Sequence, residues 1–332
     1  MCTYVTKQCS DNSYLVGRTM EFSYELSSYP IFIPAGSEIT RYAQSGGVYN
    51  SNYATVGMTA YNRPVAVDGL NEHGLNVATL YFSGIAGYND TIDENSYYPY
   101  EFNQLLLSQC KSVDDVILFL TQNPGINVVD DPDDPMGLHW PVTDVQGKSI
   151  VIEPINGKLV ITGNSVGICT NSPELSWHLT NLANYVNMST EGKGAYVFNS
   201  DFTANINGAG SGLTGIPGDW TPASRFVRAA YFTQMLPAPV DASAGVTDIF
   251  HVLSTSDIVK GCVVSHSESG DEYMETTPYT SCCDLTNLYY YYHTYENRAI
   301  TYLSLNSLIS TYSKTTAFNL PKTQSLTDGT LI

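Results

Sequence analysis

Met1 is followed by Cys2, and a small second residue is the usual condition for removing an initiating methionine. Cys2 would then carry a thiol and a free α-amine on one amino acid. Reference pKa values of about 8 for such an amine and about 8.5 for a thiol put both groups close to neutrality. The amine can take the thiol proton, so a nucleophile arises without a separate histidine. The plainer alternative is a small apolar residue opening an edge strand. Arg18 weighs against it, because it sits inside the run Val16-Gly17-Arg18-Thr19-Met20-Glu21 in a chain with only 14 Lys and Arg. A guanidinium beside a thiol favours thiolate, and Glu21 could hold the protonated α-amine. A structural Arg18–Glu21 pair is the competing account.

Other candidates for chemistry are weaker. Gly163-Asn164-Ser165-Val166-Gly167 matches the GxSxG of serine hydrolases, but that motif needs a sharp turn into a helix. Here Pro173 breaks an extended stretch instead. Gly208 to Gly215 has the glycines of a phosphate loop without a following Lys, and reads as a loop. The six histidines show no HExxH and no close pairing, so no metal site is expected. Asp130-Asp131-Pro132-Asp133-Asp134 lacks the pattern of a calcium loop and reads as solvated acid. Trp177 and His178 are expected to pack beneath Thr170-Asn171-Ser172-Pro173 rather than react.

The elements that must position Cys2 and Arg18 are strands. Thr3–Lys7 and Tyr14–Met20 pair around Ser10-Asp11-Asn12-Ser13, a polar turn cluster. Val65–Leu70 and Leu75–Phe82 form a second pair. Ser149–Ile155 and Lys158–Thr162 flank Asn156-Gly157, a strong hairpin signal. Cys262–His266, Asn287–Tyr295 and Ala299–Leu305 read as late strands. Helices are expected over Glu101–Ser108, Val113–Leu120, Leu175–Tyr185, Pro222–Met235 and Val246–Ser254, with Ser112 and Asp115 resembling a capping box. Strands at both ends and helices between them point to one α+β domain over residues 1–332.

Composition narrows the partners. Fourteen Lys and Arg against 32 Asp and Glu leave a formal charge of −18, which argues against nucleic acid and against an anionic membrane surface. One small anionic substrate held by a buried arginine stays compatible. No apolar run reaches the ~18 residues of a membrane span. No secretory leader is visible, and seven cysteines without a CxxC pair read as mostly buried free thiols. A cytoplasmic location is expected.

Several longer blocks carry a resemblance. MCT opens the chain, GRTMEFS stands at 17–23, VDGLNEHGLNVATLYFSG at 67–84 and ICTNSPELSWHLTNLANY at 168–185. GLTGIPGDWTPASRFVRAAYF at 212–232 and YTSCCDLTNLYYYYHTYENRAITYL at 279–303 complete them. In this order, over nearly the whole chain, the sequence resembles the choloylglycine hydrolase family of penicillin V acylases and conjugated bile salt hydrolases. The resemblance implies an N-terminal nucleophile hydrolase fold, a four-layer αββα sandwich, and a cofactor-free amidase, commonly a homotetramer. Carried over by motif, Cys2 attacks the amide with its α-amine as base, Arg18 sits by the sulfur, and Arg225 completes the polar site. Asn171 donates its side-chain amide, and Tyr81 its backbone N–H, to an oxyanion hole; one such donor contributes ~3–4 kcal/mol. Glu21 stands where the family usually has Asp, which moves the carboxylate by a methylene. Tyr81 stands where bile salt hydrolases typically carry Asn, and leans the pocket towards aromatic acyl groups. The resemblance also places the loop Asn199–Gly218 near the active site and the subunit contacts. The small-molecule substrates implied are penicillin V-like amides first, conjugated bile salts second, and N-acyl homoserine lactones beyond these. The rival of another class is a binding protein on this fold that has lost catalysis.

Overall fold

The structure, a computed structural model, describes residues 1–24, 26–44, 46–206, 208–266 and 270–331. Its first strands, β1 (Cys2–Gln8) and β2 (Tyr14–Phe22), are apolar or small at most positions and buried along nearly all their length. A sheet with one wet face alternates buried and exposed residues, so continuous burial means that both faces are covered. The chain continues through β3 (Pro30–Ile33), β4 (Thr55–Thr59), β5 (Ala66–Asn71), β6 (Asn76–Ala78) and β7 (Leu80–Tyr81). Helices α1 (Pro99–Gln109) and α2 (Val113–Gln122) precede β8 (Leu138–Thr143), β9 (Ser149–Ile155), β10 (Lys158–Gly163) and β11 (Ile168–Cys169). Then come α3 (Leu175–Asn181), α4 (Pro222–Met235) and α5 (Ala242–Ser254). Strands β12 (Thr276–Asp284), β13 (Tyr289–Thr294) and β14 (Thr301–Ser304), helix α6 (Leu305–Thr311) and β15 (Thr316–Ala317) end the fold.

Two antiparallel sheets carry these strands. One runs β11-β1-β2-β12-β13-β14, the other β10-β9-β8-β6-β5-β4-β3-β15, with β7 also on β8. Helices α4 and α5 cover the first sheet and α1 covers the second. The inner faces meet through polar as well as apolar contacts. The Tyr4 hydroxyl lies 2.8 Å from Asn76 Oδ1 and 2.9 Å from Thr143 Oγ1, and Ser281 Oγ donates to Asp68 at 2.7 Å. Helix, sheet, sheet and helix therefore stack as the αββα sandwich of an N-terminal nucleophile hydrolase. On the outer side, a Cβ on Gly17 would lie 2.3 Å from Ile249 Cγ2, so glycine is what lets α5 sit flat on β2.

Turn chemistry agrees closely with expectation. Asn12 at φ +68° closes the β1–β2 turn, and Asn156 and Gly157 at +51° and +72° close β9–β10. Ser112 caps α2 by accepting from the Asp115 amide, but the Asp115 carboxylate accepts from the Lys111 amide, so only half of the capping box forms. Leu75–Phe82 splits at Thr79 into β6 and β7, and Ala299–Leu305 ends where α6 begins. Asp131 corrects the solvated-acid reading of its loop: it is buried, 3.3 Å from Arg63 Nη1 and accepting from Tyr100 at 3.1 Å. Ser165 is exposed on a turn with strand, not helix, after it. Among the described residues no group of acidic, His and Cys side chains could hold a metal, and no helix is long and apolar enough to cross a membrane.

Candidate active site

Cross-strand register assembles the centre. Cys2 faces Met20 and Tyr4 faces Arg18 across β1–β2. Paired residues share a face and positions two apart share a face, so all four side chains point between the sheets. Arg18 Nη2 donates to Cys2 Sγ at 3.0 Å and to the Thr79 carbonyl at 3.1 Å. Its Nη1 donates to the Tyr279 hydroxyl at 2.9 Å and lies 3.7 Å from Asp68 Oδ2. Arg18 is 1% exposed. Burial works against its charge, yet Tyr279, Cys2 and Asp68 outweigh it and hold the guanidinium more firmly protonated than usual. Its ion partner is therefore Asp68, from the facing sheet, and not Glu21.

Asn171 and Arg225 approach Cys2 from the other side. Helix α4 starts with Thr221 as N-cap and Pro222 in its first turn, which brings Arg225 over the end of β1. Arg225 Nε donates to the Trp220 carbonyl at 2.8 Å, and Nη1 bonds the Cys2 carbonyl and Thr3 Oγ1, the latter at 2.8 Å. Arg225 Nη2 donates to Asn171 Oδ1 at 2.5 Å, and that oxygen also accepts from the Cys2 amide at 2.9 Å. Asn171 Nδ2 donates to the Tyr81 carbonyl at 2.7 Å. A carboxamide nitrogen carries two protons, so one remains to meet an incoming oxygen.

Glu21 is fully buried, and neither carboxylate oxygen has a hydrogen-bond partner. Burial pushes its pKa up, with Arg225 and the chain's leading ammonium pulling it back. The backbone at this point is closed: the Met1 ammonium donates to the Glu21 carbonyl at 2.6 Å and the Glu21 amide to the Met1 carbonyl at 2.9 Å. While Met1 is attached, the Cys2 nitrogen is an amide.

Opposite the polar groups lies an apolar cleft of about 30 Å³, with Met20, Phe22, Leu26, Tyr61, Tyr100 and Met136 around Cys2. It is the size of one water. Beyond it a wider hollow of about 340 Å³ opens past Tyr24, Tyr81 and Glu275. Tyr81 is half-buried and lines both. The six residues expected at the site, Cys2, Arg18, Glu21, Tyr81, Asn171 and Arg225, thus lie together. Asp68, Tyr279 and Met20 were not singled out from sequence. A charged residue in the apolar stretch Ala66–Leu70 was the available signal for Asp68. Trp177 corrects half of the packing expectation: neighbours on a helix point about 100° apart, so Trp177 is exposed while His178 is buried against the Asn171 carbonyl as expected.

Residues 2–312 match the linear amide C–N hydrolases of the choloylglycine hydrolase family. A bile salt hydrolase/transferase of Clostridium perfringens is 33% identical over 92% of this chain and 93% of its own. The crystal structure of the C2A mutant of the conjugated bile acid hydrolase from that organism superposes with a TM-score of 0.87 at 31% identity, covering 99% of this chain and 100% of the other. Penicillin V acylase from Agrobacterium tumefaciens shares the fold, with a TM-score of 0.75 at 20% identity over 93% of this chain and 87% of the other. This chain belongs to the choloylglycine hydrolase family, whose members hydrolyse linear amide C–N bonds.

Proposed function

We propose that the protein is a cysteine amidohydrolase whose nucleophile is Cys2, freed by cleavage of the Met1–Cys2 bond. The observation that carries this reading is the Cys2 sulfur 3.0 Å from Arg18 Nη2 at the edge of an apolar cleft, with Asn171 beside it. The α-amine takes the thiol proton as sulfur adds to the amide carbonyl carbon. The free Nδ2 proton of Asn171 and the backbone N–H of Tyr81 meet the developing oxyanion. The C–N bond then breaks, the amine leaves with the proton from the α-ammonium, and an acyl thioester stays on Cys2. Water hydrolyses it and restores the thiol. The unpartnered Glu21 carboxylate is the group that receives the new ammonium, and Arg225 fixes Asn171 and the Cys2 carbonyl.

Conjugated bile salts lead the substrate reading, because a relative at one-third identity over nearly full length carries that activity in its name. Penicillin V, a phenoxyacetyl amide, comes second. The rings of Phe22, Tyr61, Tyr81 and Tyr100 line the cleft and suit a flat aromatic acyl group, for which the wider hollow past Tyr81 has the room. The same reading takes the enzyme as a single-domain cytoplasmic homo-oligomer, a tetramer by resemblance. Seven unpaired thiols support the compartment. The loop Asn199–Gly218 forms part of an exposed surface with Tyr196, Val197, Phe198 and Phe202, which supports assembly; Asn207 within it lies outside the described residues.

Intact mass shows whether Met1 is lost, and glycocholate and penicillin V assayed side by side test the chemistry. Hydrolysis of at least one by the processed protein, lowered roughly 10³-fold or more in Cys2→Ala, is expected. If processed protein leaves both intact, the binding-protein reading replaces this one.

A further inference from the structure

Two buried histidines flank Asn171 in matching fashion. His139, on β8, places Nε2 3.1 Å from the Thr170 carbonyl, and His178, on α3, places Nε2 2.8 Å from the Asn171 carbonyl. Carbonyl oxygens only accept, so each Nε2 carries the proton and donates it. Each ring also lies flat on a phenylalanine: His139 on Phe82 at 4.5 Å and 8°, His178 on Phe226 at 4.7 Å and 13°. Those phenylalanines follow Tyr81 and Arg225, the two residues that grip the Asn171 side chain. Glu153 links the pair, accepting from the Leu175 amide at the start of α3 at 2.9 Å while its Oε1 stands 3.6 Å from His139 Nδ1. Burial pushes the His178 pKa below its usual value, with Arg225 and His139 acting in the same direction and Glu153 and the Asn171 carbonyl against it. That keeps its single ring proton on Nε2.

We propose that His139 and His178 are positioning residues that clamp the Thr170–Asn171 backbone between β7 and α4, so that the Asn171 amide is aimed at the reacting carbonyl without either histidine touching substrate. The clamp rests on the reading of Asn171 as an oxyanion donor. Donors of this kind act only when already in place, so a small loss of aim lowers the chemical step rather than binding.

The test uses the processed enzyme with His139→Leu, His178→Leu and the matching Gln variants, whose amide N–H can replace Nε2–H. Each Leu variant is expected to lower kcat by roughly 10–100-fold with KM within about twofold, and Gln to recover most of the loss. Added to Asn171→Ala, the Leu substitutions cost almost nothing further, because the group they aim is gone. Independently of turnover, Asn171 side-chain amide protons followed by NMR exchange at least tenfold faster in the Leu variants. Unchanged exchange overturns the clamp, as does a full additive loss in the Asn171→Ala background. If the wild type hydrolyses no amide tested while exchange accelerates as described, the clamp stands and the amidase reading falls.

Discussion

The polar and apolar walls around Cys2 are built by opposite means. On the polar wall, Arg18 and Arg225 come from the middle of β2 and the first turns of α4, and each is held by four or more atoms of other residues. On the apolar wall, Leu26, Tyr61 and Met136 come from connections between strands, and their side chains make few directed bonds. One explicit link is the Tyr61 hydroxyl, 3.6 Å from Met136 Sδ. Directed bonds fix a group to tenths of an ångström, whereas packed loop side chains can be exchanged with little loss of fold. On the proposed reading, the groups that break the amide are thereby fixed while the surface that would meet the acyl group stays open to change.

Substitution on the polar wall gives the largest effect. Arg225→Ala leaves the buried Glu21 carboxylate without the positive charge that acts on it most and Asn171 Oδ1 without its strongest donor. A loss of about 3–5 kcal/mol in denaturant unfolding is expected; a loss below 1 kcal/mol would show that this wall is no more committed than the other.

Acid gives the next effect, and from outside both walls. His293, packed near Phe250, is held down to about 4 by burial, with Arg298 adding to the shift. Between that value and the unfolded 6.5 the unfolded chain binds the extra proton, so stability rises with pH. It falls as pH drops from about 6.5 to about 4, by ~3 kcal/mol, and then levels. Thermal unfolding across this range shows the slope in the wild type and its removal in His293→Phe. A slope that survives the substitution assigns acid sensitivity to the site itself.

The smallest effect sharpens the contrast from the apolar side. Met136→Ala costs about 1 kcal/mol of stability, since the side chain is only partly buried, yet widens the cleft. The ratio of glycocholate to penicillin V turnover should rise about tenfold. An unchanged ratio would remove Met136 from acyl selection.

Much of this was legible before any coordinates. The β1–β2 and β9–β10 hairpins follow from turn chemistry, and Pro222–Met235 is the observed span of α4. Strands β8 and β12 carry prolines, Pro141 and Pro278, which normally argue against a strand interior; β9 carries Pro154 as well, but the Asn156-Gly157 turn marks it. Residue chemistry singled out Cys2, Arg18 and Glu21, and the resemblance added Tyr81, Asn171 and Arg225. What it could not supply was the pairing: Arg18 meets Asp68 only because two sheets pack face to face, a contact 50 residues apart in sequence with no local signal. The Asn171 support was hidden for the same reason, since His139 and His178 become neighbours only once β8, β11 and α3 converge.

The Met1–Glu21 rung sets a clock. Its two backbone bonds extend the β1–β2 ladder by one residue beyond Cys2, so the Met1–Cys2 bond, whose cleavage the proposed nucleophile requires, lies inside a closed hairpin once the chain has folded. A peptidase acting after closure has to wait for that end to fray. On the proposed reading, in which Cys2 acts only once Met1 is gone, folding and processing compete for the same bond, and the ratio of their rates sets how soon a chain is processed.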